Sequence, residues 1–183
     1  MQSDADIVRE ALAGRQAAFG ELVRRHARRA YAFAYRLSGD RDVAEDAVQE
    51  AFVKAWKSLG AYDLSREFRP WLFAIVRNAT YDLLRKRRDA ALSDVYEDDE
   101  SLAAEDDGAA ASFDARIAEG VLEEALRELS FDQRNAVYLH DVEGRTFEQI
   151  SSLTGRPLNT EKSHYRRAIL ALRKILAHRG FRG

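Results

Sequence analysis

With 183 residues, no cysteine and only two prolines, the chain has room for one domain or two small ones, and no disulfide framework or cysteine-based zinc site can form. Its formal net charge of −2 hides an uneven distribution: residues 1–89 carry 17 Lys/Arg against 13 Asp/Glu, residues 90–120 one Arg against 10 acids, and residues 121–183 11 against 8. Two mildly basic modules flank an acidic connector, so a pI near neutrality does not exclude a nucleic-acid partner.

Abundant Ala, Leu, Arg and Glu predict an all-α fold. The opening MQSDADIVRE lacks the charged-then-apolar order of a signal peptide, and the longest apolar run, residues 71–76, is too short to cross a bilayer. A cytoplasmic protein without membrane insertion is expected. Ile7, Leu12 and the break at Gly14 suggest a short first helix. A longer one follows over 17–37, with Phe19, Leu22, Val23, Ala30, Phe33, Ala34 and Leu37 near one stripe and Arg24, Arg25, Arg28, Arg29 and Arg36 on the other face. Ser38-Gly39-Asp40 ends it and starts the next.

The helix expected over 40–59 has an apolar side of Val43, Ala47, Ala51, Phe52, Ala55, Trp56 and Leu59. Asp42, Glu45, Asp46, Gln49 and Val53 fall at i, i+3, i+4, i+7 and i+11, which places them on the opposite side. Complementing the helix dipole explains acids at Asp40 and Asp42 but explains Glu45 to Glu50 less well, and an acidic stripe aimed at a basic partner is the functional alternative. Residues 61–69 read as a loop holding Tyr62 and Phe68. Pro70 suits a helix start, and the helix over 71–88 buries Leu72, Ile75, Val76, Ala79 and Leu83. Arg77, Asn78, Tyr81, Arg85 and Arg88 read as its outward face, and Arg85-Lys86-Arg87-Arg88 closes it. Such cations could merely answer the helix dipole, but beside an Asn, a Tyr and an aromatic loop they fit single-stranded nucleic acid better, cations tracking phosphates while rings stack bases.

Residues 90–115 are acidic, Ala-rich and almost free of apolar periodicity, and read as a flexible linker. A helix over 116–129 follows, then a capping box, Ser130 with Gln133, and a helix over 131–142. A second capping box, Thr146 with Gln149, opens a short helix whose apolar residues are Phe147, Ile150 and Leu153. Gly155 suits a left-handed C-cap, and Pro157 cannot continue that helix. Asn159 or Thr160 can cap the next, whose apolar residues are Tyr165, Ala168, Ile169, Leu172, Ile175 and Leu176. Its opposite face carries Lys162, Ser163, Arg166 and Arg167. A short helix, a glycine turn and a longer helix with basic and hydroxyl residues up front make a helix-turn-helix whose second helix reads DNA. The plainer alternative is a helical hairpin with a solvated basic face.

Three segments together resemble the extracytoplasmic-function sigma factors, the two-domain bacterial transcription initiation factors of the sigma-70 family. Residues 42–52, acidic before Val48-Gln49-Glu50-Ala51-Phe52, resemble the family's region 2.2. Pro70 to Asn78 resembles its Trp-Leu-x-x-Ile-x-x-Asn segment. Residues 129–176 are similar to region 4, including Asp141-Val142-Glu143-Gly144 and Thr160-x-Lys162-Ser163. The likeness covers roughly residues 5–178. It implies region 2 over 1–89, a linker over 90–115 and region 4 over 116–183. Asp42, Glu45, Asp46, Gln49 and Glu50 would then face the clamp helices of the polymerase β′ subunit, and region 4 the β flap. Tyr62, Phe68, Trp71, Arg77, Asn78, Tyr81, Arg85, Lys86 and Arg88 would take the minus-ten element. There, stacking a flipped base is worth about 1–3 kcal/mol, comparable to unpairing it. Thr160, Lys162, Ser163, Arg166 and Arg167 would enter the major groove at the minus-thirty-five element. The linker would thread toward the polymerase active centre or RNA exit path.

The chain departs from the family pattern in places. Val43 stands where Asp is frequent, Asn159-Thr160-Glu161 where Gly-Thr-Val is common, and His164 where Arg is. Glu161 beside DNA would repel phosphate or accept from a cytosine amino group. The resemblance leaves open control by an anti-sigma factor or a kinase, and implies no cofactor. An enzyme finds little support: His26, His140, His164 and His178 are scattered, and there is no phosphate loop or serine elbow. A sigma-like mimic that binds an anti-sigma factor without initiating is opposed by the cations at Arg85–Arg88 and Arg166-Arg167. A plain repressor leaves the acidic stripe and aromatic loop unexplained.

Overall fold

The structure, a computed structural model, describes residues 2–93 and 113–180. The chain divides into two compact helical units, Met1–Tyr96 and Glu97–Gly183, and no strand occurs among the described residues. The first unit contains α1 (Asp4–Leu12), α2 (Gln16–Ser38), α3 (Arg41–Ser58), a 3-10 turn (Leu59–Ala61) and α4 (Phe68–Ser93). The second contains α5 (Phe113–Arg127), α6 (Phe131–Val137), a π turn (Tyr138–Val142), α7 (Phe147–Thr154) and α8 (Leu158–His178).

In the first unit α2, α3 and α4 pack mutually and α1 lies on α2. The core holds Leu22, Phe33, Leu37, Val43, Leu72, Phe73 and Val76, with Phe33 and Phe73 stacked at 5.0 Å and 8°. Ala44, Ala47, Ala51 and Ala55 form the buried seam of α3, where small side chains let neighbouring helices approach closely. Asp40 caps α3, accepting from Val43 N at 2.9 Å, and Gly39 ends α2 in the left-handed region at φ 73°. Ser3 and Asp6 form a capping box on α1 that periodicity alone did not mark.

In the second unit α8 packs on α5, α6 and α7. Ala125, Leu129, Ala168 and Leu172 centre one core cluster, with Val137, Ile169, Ile175 and Leu176 against it. Both expected capping boxes form: Ser130 N to Gln133 Oε1 at 3.0 Å and Thr146 N to Gln149 Oε1 at 3.0 Å, each with its reciprocal bond. Gly155 takes φ 69°, as the turn requires.

Several boundaries differ from the sequence reading. α8 opens at Leu158 with Pro157 at its N-cap and no side-chain cap bond, so neither Asn159 nor Thr160 caps it; both lie inside its first turn. The expected helix over 131–142 changes to π geometry after Val137, and Glu143 N reaches Tyr138 O at 3.0 Å. Of the expected linker, residues 94–112 lie outside the described residues, while 90–93 continue α4 and 113–115 open α5. Replacing Phe33 with Ala removes one ring of the central stack and should cost about 3–5 kcal/mol, read as a lowered urea midpoint for helix loss.

Candidate nucleic-acid and partner interfaces

The buried alanine seam of α3 leaves its other side to solvent. Asp42, Glu45, Asp46 and Gln49 are exposed there, and Glu50 is half-buried on the flank with Lys54 2.6 Å away. The same stripe continues into exposed Val53 and Trp56, so it is acidic at its start and apolar at its end. Trp56 was expected on the buried side. Its position at the edge of the helix leaves it rimming the bundle against Phe19, 5.0 Å between ring centres.

The loop after the 3-10 turn is built on an aromatic cluster. Tyr62 and Phe68 meet edge to face at 5.7 Å, and Trp71 tilts against both at 5.0 and 5.5 Å. The Tyr62 hydroxyl donates to the Arg66 carbonyl and closes the loop. Burial pushes the Tyr62 phenol up, with Asp4, Asp63 and Glu67 adding to it. Asp63 accepts from both the amide and the hydroxyl of Ser65, at 3.0 and 2.7 Å, and these bonds hold its carboxyl below the usual range. Tyr62 is 7% exposed and Phe68 2%, which corrects the expectation that their rings are free to stack bases. Both face inward because the loop needs its own apolar floor. Its exposed residues are Ala61, Asp63, Ser65, Arg66 and Glu67.

On α4, half-buried Trp71 and exposed Asn78, Tyr81, Arg85 and Arg88 share the outward face. Arg77 does not. Its position is about 100° from Asn78 around the helix, toward the core, and it is 7% exposed, with Nη1 donating to Asn78 Oδ1 at 3.0 Å. The four closing cations also separate. Arg87 pairs with Asp40 at 2.6 Å, fastening α4 to the cap of α3, and Arg85 is 3.8 Å from Asp82, while Lys86 and Arg88 are exposed.

In the second unit an aromatic knot fixes the helix-turn-helix. His140 stacks on Phe147 at 4.5 Å and meets Tyr165 edge-on at 4.7 Å, and Phe147 meets Tyr165 at 5.4 Å. His140 Nδ1 donates to the Arg145 carbonyl at 2.9 Å, so this histidine is a structural joint rather than a surface residue. The Tyr165 hydroxyl donates to Asp141 at 3.0 Å, and burial together with that bond raises its phenol. Glu161, expected beside DNA, is 1% exposed and accepts from Thr154 Oγ1 at 2.7 Å. It lies one helical turn before Tyr165 on the inward side and ties the end of α7 to the start of α8.

That inward turn of Glu161 sets what α8 shows outward. Asn159, Arg166 and Leu170 are exposed at i, i+7 and i+11 on its solvent side with half-buried Ser163 at i+4, exposed Lys162 and Arg167 lie to either side, and Thr160 is half-buried on the flank. Asn159 was missed from the face because the helix starts earlier than the sequence suggested. Among the described residues no cluster of His, Asp and Glu could hold a metal ion, and no helix is long and apolar enough to cross a membrane.

Residues 22–90 match the family model of sigma-70 region 2, and residues 119–172 that of sigma-70 region 4. The sigma factor SigE of Mycolicibacterium smegmatis is 38% identical over 158 residues, covering 86% of this chain; the chain spans 61% of that protein's length. CarQ of Myxococcus xanthus, an RNA polymerase sigma factor, is 35% identical and covers 89% of this chain and 91% of its own. Among solved structures, the sigma factor RpoE of Bartonella quintana, in complex with the anti-sigma factor NepR, matches with a TM-score of 0.69 at 29% identity, over 87% of this chain and 96% of that one. CnrH in complex with the cytosolic domain of CnrY matches with a TM-score of 0.66 at 28% identity, over 97% and 99%.

Replacing Glu161 with Ala strands the Thr154 hydroxyl and opens a void, and should cost about 2–4 kcal/mol in thermal unfolding. Glu161→Gln keeps an oxygen for Thr154 and should cost less than half as much.

Proposed function

Because the chain belongs to the extracytoplasmic-function sigma factors of the sigma-70 family, which direct core RNA polymerase to promoters, we propose how its own surfaces divide that work. Residues 1–89 act as region 2. The exposed stripe Asp42, Glu45, Asp46 and Gln49, with Glu50 on its flank, meets the basic clamp helices of β′, and Val53 and Trp56 give the contact an apolar end. Charge complementarity sets orientation and on-rate, while the apolar end supplies area buried from water.

The outward face of α4 takes the opened minus-ten element. Tyr81 offers a ring, Asn78 an amide for a base edge, and Arg85, Lys86 and Arg88 charge for phosphates. Tyr62 and Phe68 serve as the floor that holds the loop and Trp71 at the end of that face. Arg77 orients Asn78 instead of touching DNA. Residues 116–183 act as region 4: Asn159, Ser163 and Arg166 address base edges in the minus-thirty-five major groove, and Thr160, Lys162 and Arg167 the flanking phosphates. Residues 90–115 connect the two. The protein works in the cytoplasm, and promoter opening draws on binding energy with no chemical step of its own.

The observation that carries this reading is the outward stripe of α8, which is basic and polar because its one early acid, Glu161, is turned into the core. A sigma-like mimic has no use for such a stripe or for the cations of α4. In vitro transcription with core polymerase lacking other sigma factors, on fragmented genomic DNA, tests the whole reading. Discrete starts sharing two upstream motifs are expected, and core binding without initiation would overturn it.

Two finer outcomes are expected. Asp46→Arg with Glu50→Arg should abolish core binding in a pull-down while the circular dichroism spectrum is unchanged. Arg166→Ala should weaken binding to a cognate minus-thirty-five duplex by about 1–3 kcal/mol and relax specificity at one position, whereas Arg167→Ala should weaken all sequences alike and lower the salt slope by about 1.

A further inference from the structure

We propose that His26 is a positioning residue for promoter opening, acting through Phe68 to hold the loop at residues 62–67 in register with α4. This rests on the assignment of that loop and the α4 face to the minus-ten element.

His26 lies on the inward side of α2 and is 7% exposed. Its Nε2 is 2.7 Å from Asp4 Oδ2, at the first residue of α1. Nδ1 is buried and has no partner among the described residues. The ring tilts against Phe68 at 5.3 Å and 49°. Phe68 is the first residue of α4 and packs edge to face on Tyr62, whose hydroxyl closes the loop on the Arg66 carbonyl. One run of contacts therefore leads from Asp4 through His26, Phe68 and Tyr62 to Arg66. It starts in α1, which has no role in either proposed interface. α1 is itself anchored: Ile7, Val8 and Ala11 are buried, and the helix packs on α2 and on the 3-10 turn that leads into the loop.

Packing alone does not account for this choice of residue. A buried imidazole with one nitrogen unsatisfied carries a desolvation cost that an apolar ring of similar size would not. What the histidine adds over phenylalanine is the bond to Asp4, which fixes the ring's rotation, and the ring's rotation fixes where Phe68 rests. Asp4 keeps a second partner, Arg25 Nη1 at 3.1 Å, and the same nitrogen reaches the Gln2 carbonyl at 2.8 Å. Loss of the histidine bond therefore leaves Asp4 paired and α1 docked. The effect is confined to the loop.

The test uses the full chain with core polymerase on a cognate promoter carrying 2-aminopurine in the minus-ten element, with opening followed as the rise in fluorescence. His26→Phe keeps the ring and drops the bond; His26→Gln keeps a donor that reaches Asp4 but loses the ring that rests on Phe68; Asp4→Ala removes the anchor. His26→Phe and Asp4→Ala should slow opening about tenfold, and together no more than either alone, the behaviour of two residues in one contact. His26→Gln should slow opening at least as much as His26→Phe, because the bond without the ring leaves Phe68 unsupported. The melting temperature of His26→Phe should equal or exceed wild type, and its core affinity should be unchanged. Opening by His26→Phe at the wild-type rate overturns the proposal, as does a loss of core affinity by the same factor as the opening rate. A wild-type chain that opens no promoter overturns the reading of the minus-ten face on which the proposal rests, a result separable from a wild-type-like variant.

Discussion

The first unit depends on the alanine seam of α3. Four alanines at i, i+3, i+7 and i+11 give almost no apolar payload of their own, yet they let the neighbouring helices close on α3 while Phe33, Phe73, Leu22, Leu37 and Leu72 supply the burial. The seam, with Val43 and Phe52 beside it, makes the buried side of α3, and Asp42, Glu45, Asp46 and Gln49 on the other side bury nothing in the core. That side is free to be charged. A like-charged row costs a few tenths of a kcal/mol per pair, which a well-packed bundle tolerates. An intermolecular surface is thus obtained at small cost to the fold, and substitutions along it are expected to separate binding from stability.

Polar contacts between helices, one exposed and one buried, do the complementary work of fixing angles. Asp40 caps α3 with one carboxylate oxygen and holds Arg87 of α4 with the other, so the helix with the acidic stripe and the helix with the cationic outward face share one joint. Glu161 does the same across the helix-turn-helix, with Thr154 as its partner. The exposed Asp40–Arg87 pair contributes at most about 1 kcal/mol, and the buried Glu161 bond nets about as much, though leaving its partner unsatisfied costs more. These residues are therefore better understood as constraints on geometry than as sources of stability. The proposed reading of base edges by Arg166 depends on that geometry, because it requires α8 to be held at a fixed angle to α7.

Periodicity made most of the architecture legible, and the places where it failed share a cause. The acidic stripe, both capping boxes and the Gly155 turn follow from spacing and local chemistry, and the structure has them where the sequence puts them. Arg77, Tyr62, Phe68 and Glu161 were assigned to solvent or DNA on residue type, and all four are buried. Arg77 and Glu161 sit on helix flanks or inward turns that a charge argument overrides too readily. Phe68 and Trp71 stand at i and i+3 on α4, and Tyr62 is brought against both only by the loop's path, so their miniature core is not visible in spacing alone. The early start of α8 was hidden because Pro157 occupies the cap position with no side-chain bond to announce it, and that shift concealed Asn159.

What the corrections change is the account of how melting is driven. If the loop aromatics were open platforms, stacking on them would provide the energy to hold a base out of the duplex. Buried as they are, they provide rigidity, and in the proposed function the attraction comes from the exposed groups of the α4 face: Tyr81, Asn78 and the cations beyond them. A rigid loop is still required, because a flipped base gains about 1–3 kcal/mol from its new contacts only if they are already in place, and a loop that had to order on binding would spend much of that on its own entropy. The aromatic floor, the Tyr62 bond to Arg66 and the Asx turn at Asp63 together remove that freedom before DNA arrives. Preorganisation, rather than a larger stacking surface, is the means by which a small two-unit factor could open a promoter.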